Sequence, residues 1–187
     1  LNRETCANVM NPRMLSGHLQ GRILALISKL IRPKKIIEIG TYTGYSALCL
    51  AEGLENNGEL HTIDINEEYT SIARRYFDSS IYSRNIKQYI GNAINILPTL
   101  KYNYQLAFID ADKENYSNYF DLIADKIDLN GYIIADNVLW SGKVTHKNKD
   151  KETLALDMYN KKVLTDSRFE TILLPVRDGL MISRKIK

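Results

Sequence analysis

The chain is short of cysteine: its 187 residues include two, Cys6 and Cys49, which are far apart and share no motif. That excludes a disulfide-stapled scaffold, and the apolar neighbours of Cys49 (Ala47, Leu48, Leu50, Ala51) predict a buried free thiol in a reducing, cytoplasmic protein. Only three histidines occur, His18, His61 and His146, too dispersed for a zinc site or a catalytic triad. No apolar run is long enough to cross a bilayer, and no signal-peptide pattern opens the chain. Because the first residue is Leu1 rather than Met, further N-terminal sequence is expected. Charge imbalance is lacking too: the net charge is +3, which calls for no nucleic-acid partner. The one local basic group, Lys143, Lys147, Lys149 and Lys151, reads first as a solvated loop and second as an anion-binding surface. There is no internal repeat, low-complexity tract or linker rich in proline, glycine or serine. The twelve tyrosines form no stacking module for RNA.

What is present is an alternation of element types over a length suited to one domain, 1–187, with 1–17 as an N-terminal arm or lid. A helix with Leu19, Ile23, Leu26, Ile27 and Leu30 on its apolar face ends at Pro33. Strand Ile36–Ile39 leads to helix Thr43–Leu54, strand Leu60–Asp64 to helix Glu67–Asp78, and strand Ile86–Ile90 to helix Ala93–Leu100. Strand Gln105–Asp110 leads to helix Asn115–Lys126, and strand Tyr132–Asp136 opens a polar loop. After a helix around Glu152–Val163, the runs Thr171–Pro175 and Leu180–Arg184 flank the turn Arg177-Asp178-Gly179, which predicts a hairpin and an antiparallel last strand. Near-continuous apolar strands alternating with helices predict an α/β fold with a mostly parallel sheet covered on both faces. Ligands of such sheets bind at the carboxyl ends of the strands.

The polar motifs fall at those ends. The first strand runs through Glu38 into Gly40-Thr41-Tyr42-Thr43-Gly44-Tyr45-Ser46, where two glycines permit a sharp turn and close approach to a ligand. Asp64 ends the next strand, roughly twenty residues on, where an acid accepts hydrogen bonds from ribose hydroxyls. The spacing G-x-x-x-G lacks a glycine of the dinucleotide fingerprint, which disfavours a nicotinamide oxidoreductase and favours a nucleoside without phosphates. S-adenosylmethionine meets that description. Asp64 also suits a helix N-cap, and Asn92 in Gly91-Asn92-Ala93 reads equally as a cap or as a neighbour of the adenine.

Asp110 ends the apolar run Leu106–Ile109, and Asp136 and Asn137 end Tyr132–Ala135. Strand-end oxygens of this kind suit a hard divalent cation such as Mg²⁺, with Mn²⁺ or Ca²⁺ as substitutes. Lys113 stands one helical turn past Asp110 as a candidate proton acceptor, its other reading being a surface ion pair. Asp112 reads as a helix cap, Asp136-Asn137 also as a turn, and Trp140 either as core or as a wall of an acceptor pocket.

Three motifs, Glu38–Ser46, Ile109–Lys113 and Asp136–Trp140, together resemble the caffeoyl-CoA and catechol O-methyltransferases, over nearly the whole chain. The resemblance implies a Rossmann-like class I methyltransferase with a seven-stranded sheet, dependent on S-adenosylmethionine and Mg²⁺, and a homodimer. It implies Asp110, Asp136 and Asn137 as metal ligands and Lys113 as general base, with Asp110 sharing the catalytic centre. Met14, Ser16, Glu38, Gly40, Tyr42, Ser46, Asp64, Ala93, Asp110 and Tyr116 are implied at the cofactor, Tyr116 also close to the acceptor. The acceptor expected first is a hydroxyl of a catechol-like small molecule. A 5-hydroxyuridine of tRNA, served by the Lys143–Lys151 loop, is the alternative, and a non-catalytic cofactor-binding protein stands third.

Overall fold

The computed structural model describes all residues, 1–187. Helix α1 (Asn2–Asn8) and a 3-10 turn (Pro12–Met14) precede α2 (Gly17–Ile31). Then follow β1 (Lys35–Ile39), α3 (Tyr45–Ala51), β2 (Glu59–Asp64), α4 (Glu67–Ser79), β3 (Ile86–Ile90) and α5 (Ala93–Ile96). The second half runs β4 (Tyr104–Ile109), α6 (Tyr116–Ala124), β5 (Ile127–Ala135), α7 (Lys151–Thr165), β6 (Phe169–Leu174) and β7 (Leu180–Lys185). All seven strands share one sheet in the order β3-β2-β1-β4-β5-β7-β6. Strands β1 to β5 pair in parallel, whereas β7 runs antiparallel to both β5 and β6. This is the expected fold, hairpin included.

Alternation along the strands explains the two helix layers. Ile36, Leu106, Phe108 and Ile134 point into one apolar core with Leu24, Leu50 and Phe77. Ile37, Ile39, Ala107, Ile109 and Ile133 point into the other, with Phe120, Ile123, Leu156 and Val163. A side-chain period of two on strands that are covered on both faces produces this division.

Several elements depart from the sequence pattern. The leucine stripe expected to bury α2 is exposed at Leu19, Leu26 and Leu30. The helix instead buries Gln20, Gly21, Leu24, Ala25 and Ser28, because it packs closely on α3. A Cβ on Gly21 would lie 2.5 Å from the Tyr45 ring, and Ser28 Oγ donates to the Leu50 carbonyl at 2.6 Å. Small residues, not large ones, mark that contact. The helix expected over Ala93–Leu100 stops at Ile96 and tightens into a 3-10 turn, Leu97–Thr99, carrying Pro98. Pro98 has no N–H to continue an α-helical ladder. The helix expected from Asn115 to Lys126 is α6, Tyr116–Ala124, entered through a 3-10 turn at Lys113–Asn115. Strand β5 begins at Ile127, five positions ahead of the expected Tyr132. Both cysteines are free, and Cys49 is buried. No helix is long and apolar enough to cross a membrane.

Candidate active site

The carboxyl ends of five neighbouring strands, β3-β2-β1-β4-β5, are tied in a continuous row by four hydrogen bonds. Gly91 N donates to the Asp64 carbonyl at 2.8 Å, Gly40 N to Ile63 at 2.9 Å, Asp110 N to Ile39 at 2.8 Å and Asp136 N to Ile109 at 3.0 Å. The sheet order reverses between β1 and β4, so Gly40 and Asp110 sit at the switch point, where the strand ends open a crevice. Gly40 has φ +99°, and a Cβ there would lie 1.9 Å from the Asp110 carbonyl oxygen. No side chain fits, which is why this position takes glycine.

The turn after β1 is built around Asp64. Its Oδ2 accepts the backbone N–H groups of Thr41 at 2.9 Å and Tyr42 at 2.7 Å, and Oδ1 accepts that of Asn66 at 2.8 Å. Asp64 is therefore not the cap of α4. Asn66 is, accepting from Tyr69 N at 3.1 Å. Asn92 caps α5 through Ile94 N at 2.9 Å and also lines the cavity described below, so its two readings are compatible. Behind this turn Glu38 is fully buried. Its Oε2 accepts from Thr62 Oγ1 at 2.5 Å, while Oε1 makes no hydrogen bond. Burial first, then the nearby Asp110 and Asp64 carboxylates, push its carboxyl up to about 8, against the pull of the Ser46 and Thr62 hydroxyls.

At the other end, Lys113 is 9% exposed. Its Nζ lies 3.1 Å from Asp110 Oδ1 and 2.8 Å from the Tyr116 hydroxyl. That hydroxyl donates in turn to the Asp136 carbonyl at 3.0 Å. Asp136 is 4% exposed. Burial first, then the neighbouring Asp110 carboxylate, push it up to about 7, against hydrogen bonds from Gln20 and Asn137 and the charge of Lys113. Asn137 follows with a left-handed backbone, φ 58°. No three His, Cys, Asp and Glu side chains gather as a metal cluster anywhere in the chain. A cation here would rest on two carboxylates and an amide, a hard-oxygen set that leaves positions for water and substrate. The fit is supported by the geometry: Asp136 is buried beside the Asp110 carboxylate, and Lys113 Nζ bonds to Asp110.

One cavity of about 510 Å³ joins both ends. It brings together Met14, Ser16, Gly40, Tyr42, Ser46, Asp64, Ala93, Asp110, Lys113, Asp136 and Asn137. Two expected site residues are absent from its wall. Glu38 lies behind the glycine turn, and Tyr116 is fully buried behind Lys113. Trp140 does not line the cavity either; it packs against the core, with its ring 5.7 Å from Lys113 Nζ. The wall also includes residues not expected at the site, among them Tyr69, Tyr119 and Arg177. Tyr69 meets Tyr42 edge-on at 5.0 Å. Its only sequence signal is its place one turn after an Asn cap. Asp112, expected as a helix cap, makes no cap bond; its carboxylate takes the Tyr119 hydroxyl and Asn115 Nδ2. The basic loop is largely neutralised, with Lys143 near Asp150, Lys149 on Asp157 and Lys151 on Glu114.

A family profile described as O-methyltransferase matches residues 1–186. Caffeoyl-CoA O-methyltransferase 1 of Nicotiana tabacum is 34% identical over 180 residues, covering 89% of this chain and 75% of the tobacco protein. Caffeoyl-CoA O-methyltransferase 2 of Petunia hybrida is 33% identical, with 89% and 74% covered. Among solved structures, a methyltransferase of Podospora anserina with SAH bound superposes with a TM-score of 0.91 at 29% identity, covering 100% of this chain and 86% of the other. On the profile match and the plant relatives together, the chain belongs to the O-methyltransferase family.

Proposed function

We propose that the protein transfers the methyl group of S-adenosylmethionine to a hydroxyl of a catechol-like small molecule, with Mg²⁺ or a similar divalent cation in the site. The observation that carries this reading is that Lys113 and the oxygens of Asp110, Asp136 and Asn137 share one cavity with Asp64 and the glycine turn. The donor, when bound, supplies an electrophilic methyl on a sulfonium. The cation, when bound, supplies Lewis acidity for adjacent acceptor oxygens.

The chain's own residues do the rest. Asp64, held rigid by three backbone N–H groups, keeps one acceptor site, on Oδ1, for a ribose hydroxyl. Met14 and Ser16 cover the methionine end of the cavity. Asp110, Asp136 and Asn137 hold the cation. An acceptor phenol has a pKa of about 10, so its proton must leave as the methyl arrives. Lys113 Nζ, aimed by Asp110 and Tyr116, is the group placed to take it. Fixing the reactants in line supplies much of the acceleration in such a displacement. The named activity of the plant relatives and the SAH in the Podospora structure support the same chemistry. A tRNA acceptor draws less support, because three of the four loop lysines are already paired with acids.

The test is methyl transfer from labelled S-adenosylmethionine to 3,4-dihydroxybenzoate with Mg²⁺, repeated with EDTA. Turnover abolished by EDTA is the expected result. Undiminished turnover in EDTA refutes the cation, and cofactor binding without turnover on any catechol moves the acceptor to undermethylated tRNA.

A further inference from the structure

One contact at the cation end comes from far outside the strand ends. Gln20, in the first turns of α2, is fully buried, and its Nε2 donates to Asp136 Oδ2 at 2.6 Å. A buried amide is costly unless both of its ends are met. Here the other end faces Arg177, whose Nη1 lies 3.4 Å from Gln20 Oε1. The same Nη1 donates to the carbonyls of Leu15 and Ser16. A guanidinium only donates, and a carboxylate that is to hold a cation only accepts. The amide therefore has one sensible orientation, carbonyl towards Arg177 and NH₂ towards Asp136. The remaining Asp136 oxygen, Oδ1, accepts the Asn137 backbone N–H at 2.7 Å. Each carboxylate oxygen is thus pinned by one protein donor and retains capacity for a second partner.

We propose that Gln20 is a positioning residue for the divalent cation: its amide holds the Asp136 carboxylate in one orientation, and Arg177 sets which end of the amide faces it. This inference rests on the reading of Asp110, Asp136 and Asn137 as cation ligands. Groups that orient a metal ligand from behind commonly set metal affinity, and their loss lowers it roughly 10–100-fold. A glutamine that merely satisfied a buried acid would affect folding stability without selecting the metal.

The experiment is a calorimetric Mg²⁺ titration of wild type, Gln20→Met and Gln20→Asn, with S-adenosylmethionine present and no acceptor. Met keeps the volume and removes the donor. Asn keeps the amide and withdraws it by one methylene, so a variant remains if the other fails to fold. Mg²⁺ affinity is expected to fall roughly 10–100-fold in each folded variant, with cofactor affinity unchanged and turnover restored by excess Mg²⁺. Unchanged Mg²⁺ affinity in a folded variant overturns the proposal. So does an equal loss of cofactor and Mg²⁺ affinity, which would mean general loosening. A wild type that binds no divalent cation fails the cation reading itself, a result distinct from either.

Discussion

Tyr116→Phe deletes a single oxygen that connects Lys113 to Asp136, and its effect follows from the geometry. The hydroxyl accepts from Lys113 Nζ at 2.8 Å and donates to the Asp136 carbonyl at 3.0 Å. Burial, and then the Asp110 and Asp136 carboxylates, hold the phenol well above its ordinary range, so it serves as a neutral relay. A hydrogen bond to a charged group contributes about 1.5–3 kcal/mol and a neutral one about 1 kcal/mol. Phenylalanine keeps the ring and its burial, and Lys113 keeps Asp110 at 3.1 Å, so a net loss of about 2 kcal/mol is expected. At about 2–4 °C per kcal/mol for a domain of this size, Tm should fall by about 4–8 °C. An unguided Lys113 amine spends less time on the acceptor oxygen, so kcat should fall about 10–100-fold, equivalent to about 1.4–2.7 kcal/mol. Because Tyr116 lies behind the cavity wall, acceptor KM and cofactor Kd should hold. Thermal melts and steady-state transfer assays read all four quantities. A Tm drop with intact kcat would show that Lys113 needs no such guide. A raised acceptor KM with intact kcat would show that Tyr116 touches the acceptor, contrary to this geometry.

Lys113→Ala should lose turnover far more than cofactor affinity, as measured by single-turnover transfer beside cofactor titration; an equal loss of both would remove Lys113 from the chemistry. Glu38→Gln should stabilise the protein in alkali. The folded carboxyl is raised to about 8 from 4.5, so the native state binds the extra proton. Its contribution is fully present below pH 4.5 and is lost as pH rises through 8. The variant should therefore melt above wild type at pH 8.5 and level with it at pH 4.5, and a Tm difference that does not change with pH would refute the assignment.

The strands were legible because buried parallel strands are apolar runs with polar stops. The expected Ile86–Ile90 is β3 itself, and the stops Asp64, Asp110 and Asp136 all reach the cavity. Strand β5 begins early because Asp128 and Asn130 in its first half resemble a loop, Asn130 even with φ 65°. Helix α2 misled because its contact with α3 uses small residues, and close approach leaves no signature of large apolar ones. Tyr116 did carry a signal. With Phe120 and Ile123 it stands at helical spacing on the buried face of α6, which marks it as interior rather than as wall. Gln20 carried none, for its partner is 116 residues away and neither residue type predicts the other.

The row of hydrogen bonds along the strand ends works as a ruler. From β2, which presents Asp64, to β5, which presents Asp136, are three inter-strand steps of about 4.8 Å, or about 14 Å. On the proposed function, the donor's ribose and the acceptor's oxygens would be referenced to graduations on one rigid scale, not to loops that drift independently. The absent Cβ of Gly40 closes the middle graduation against Asp110. Loops above the sheet are then free to vary in shape and charge, changing what is methylated, without altering the length over which the methyl group is delivered.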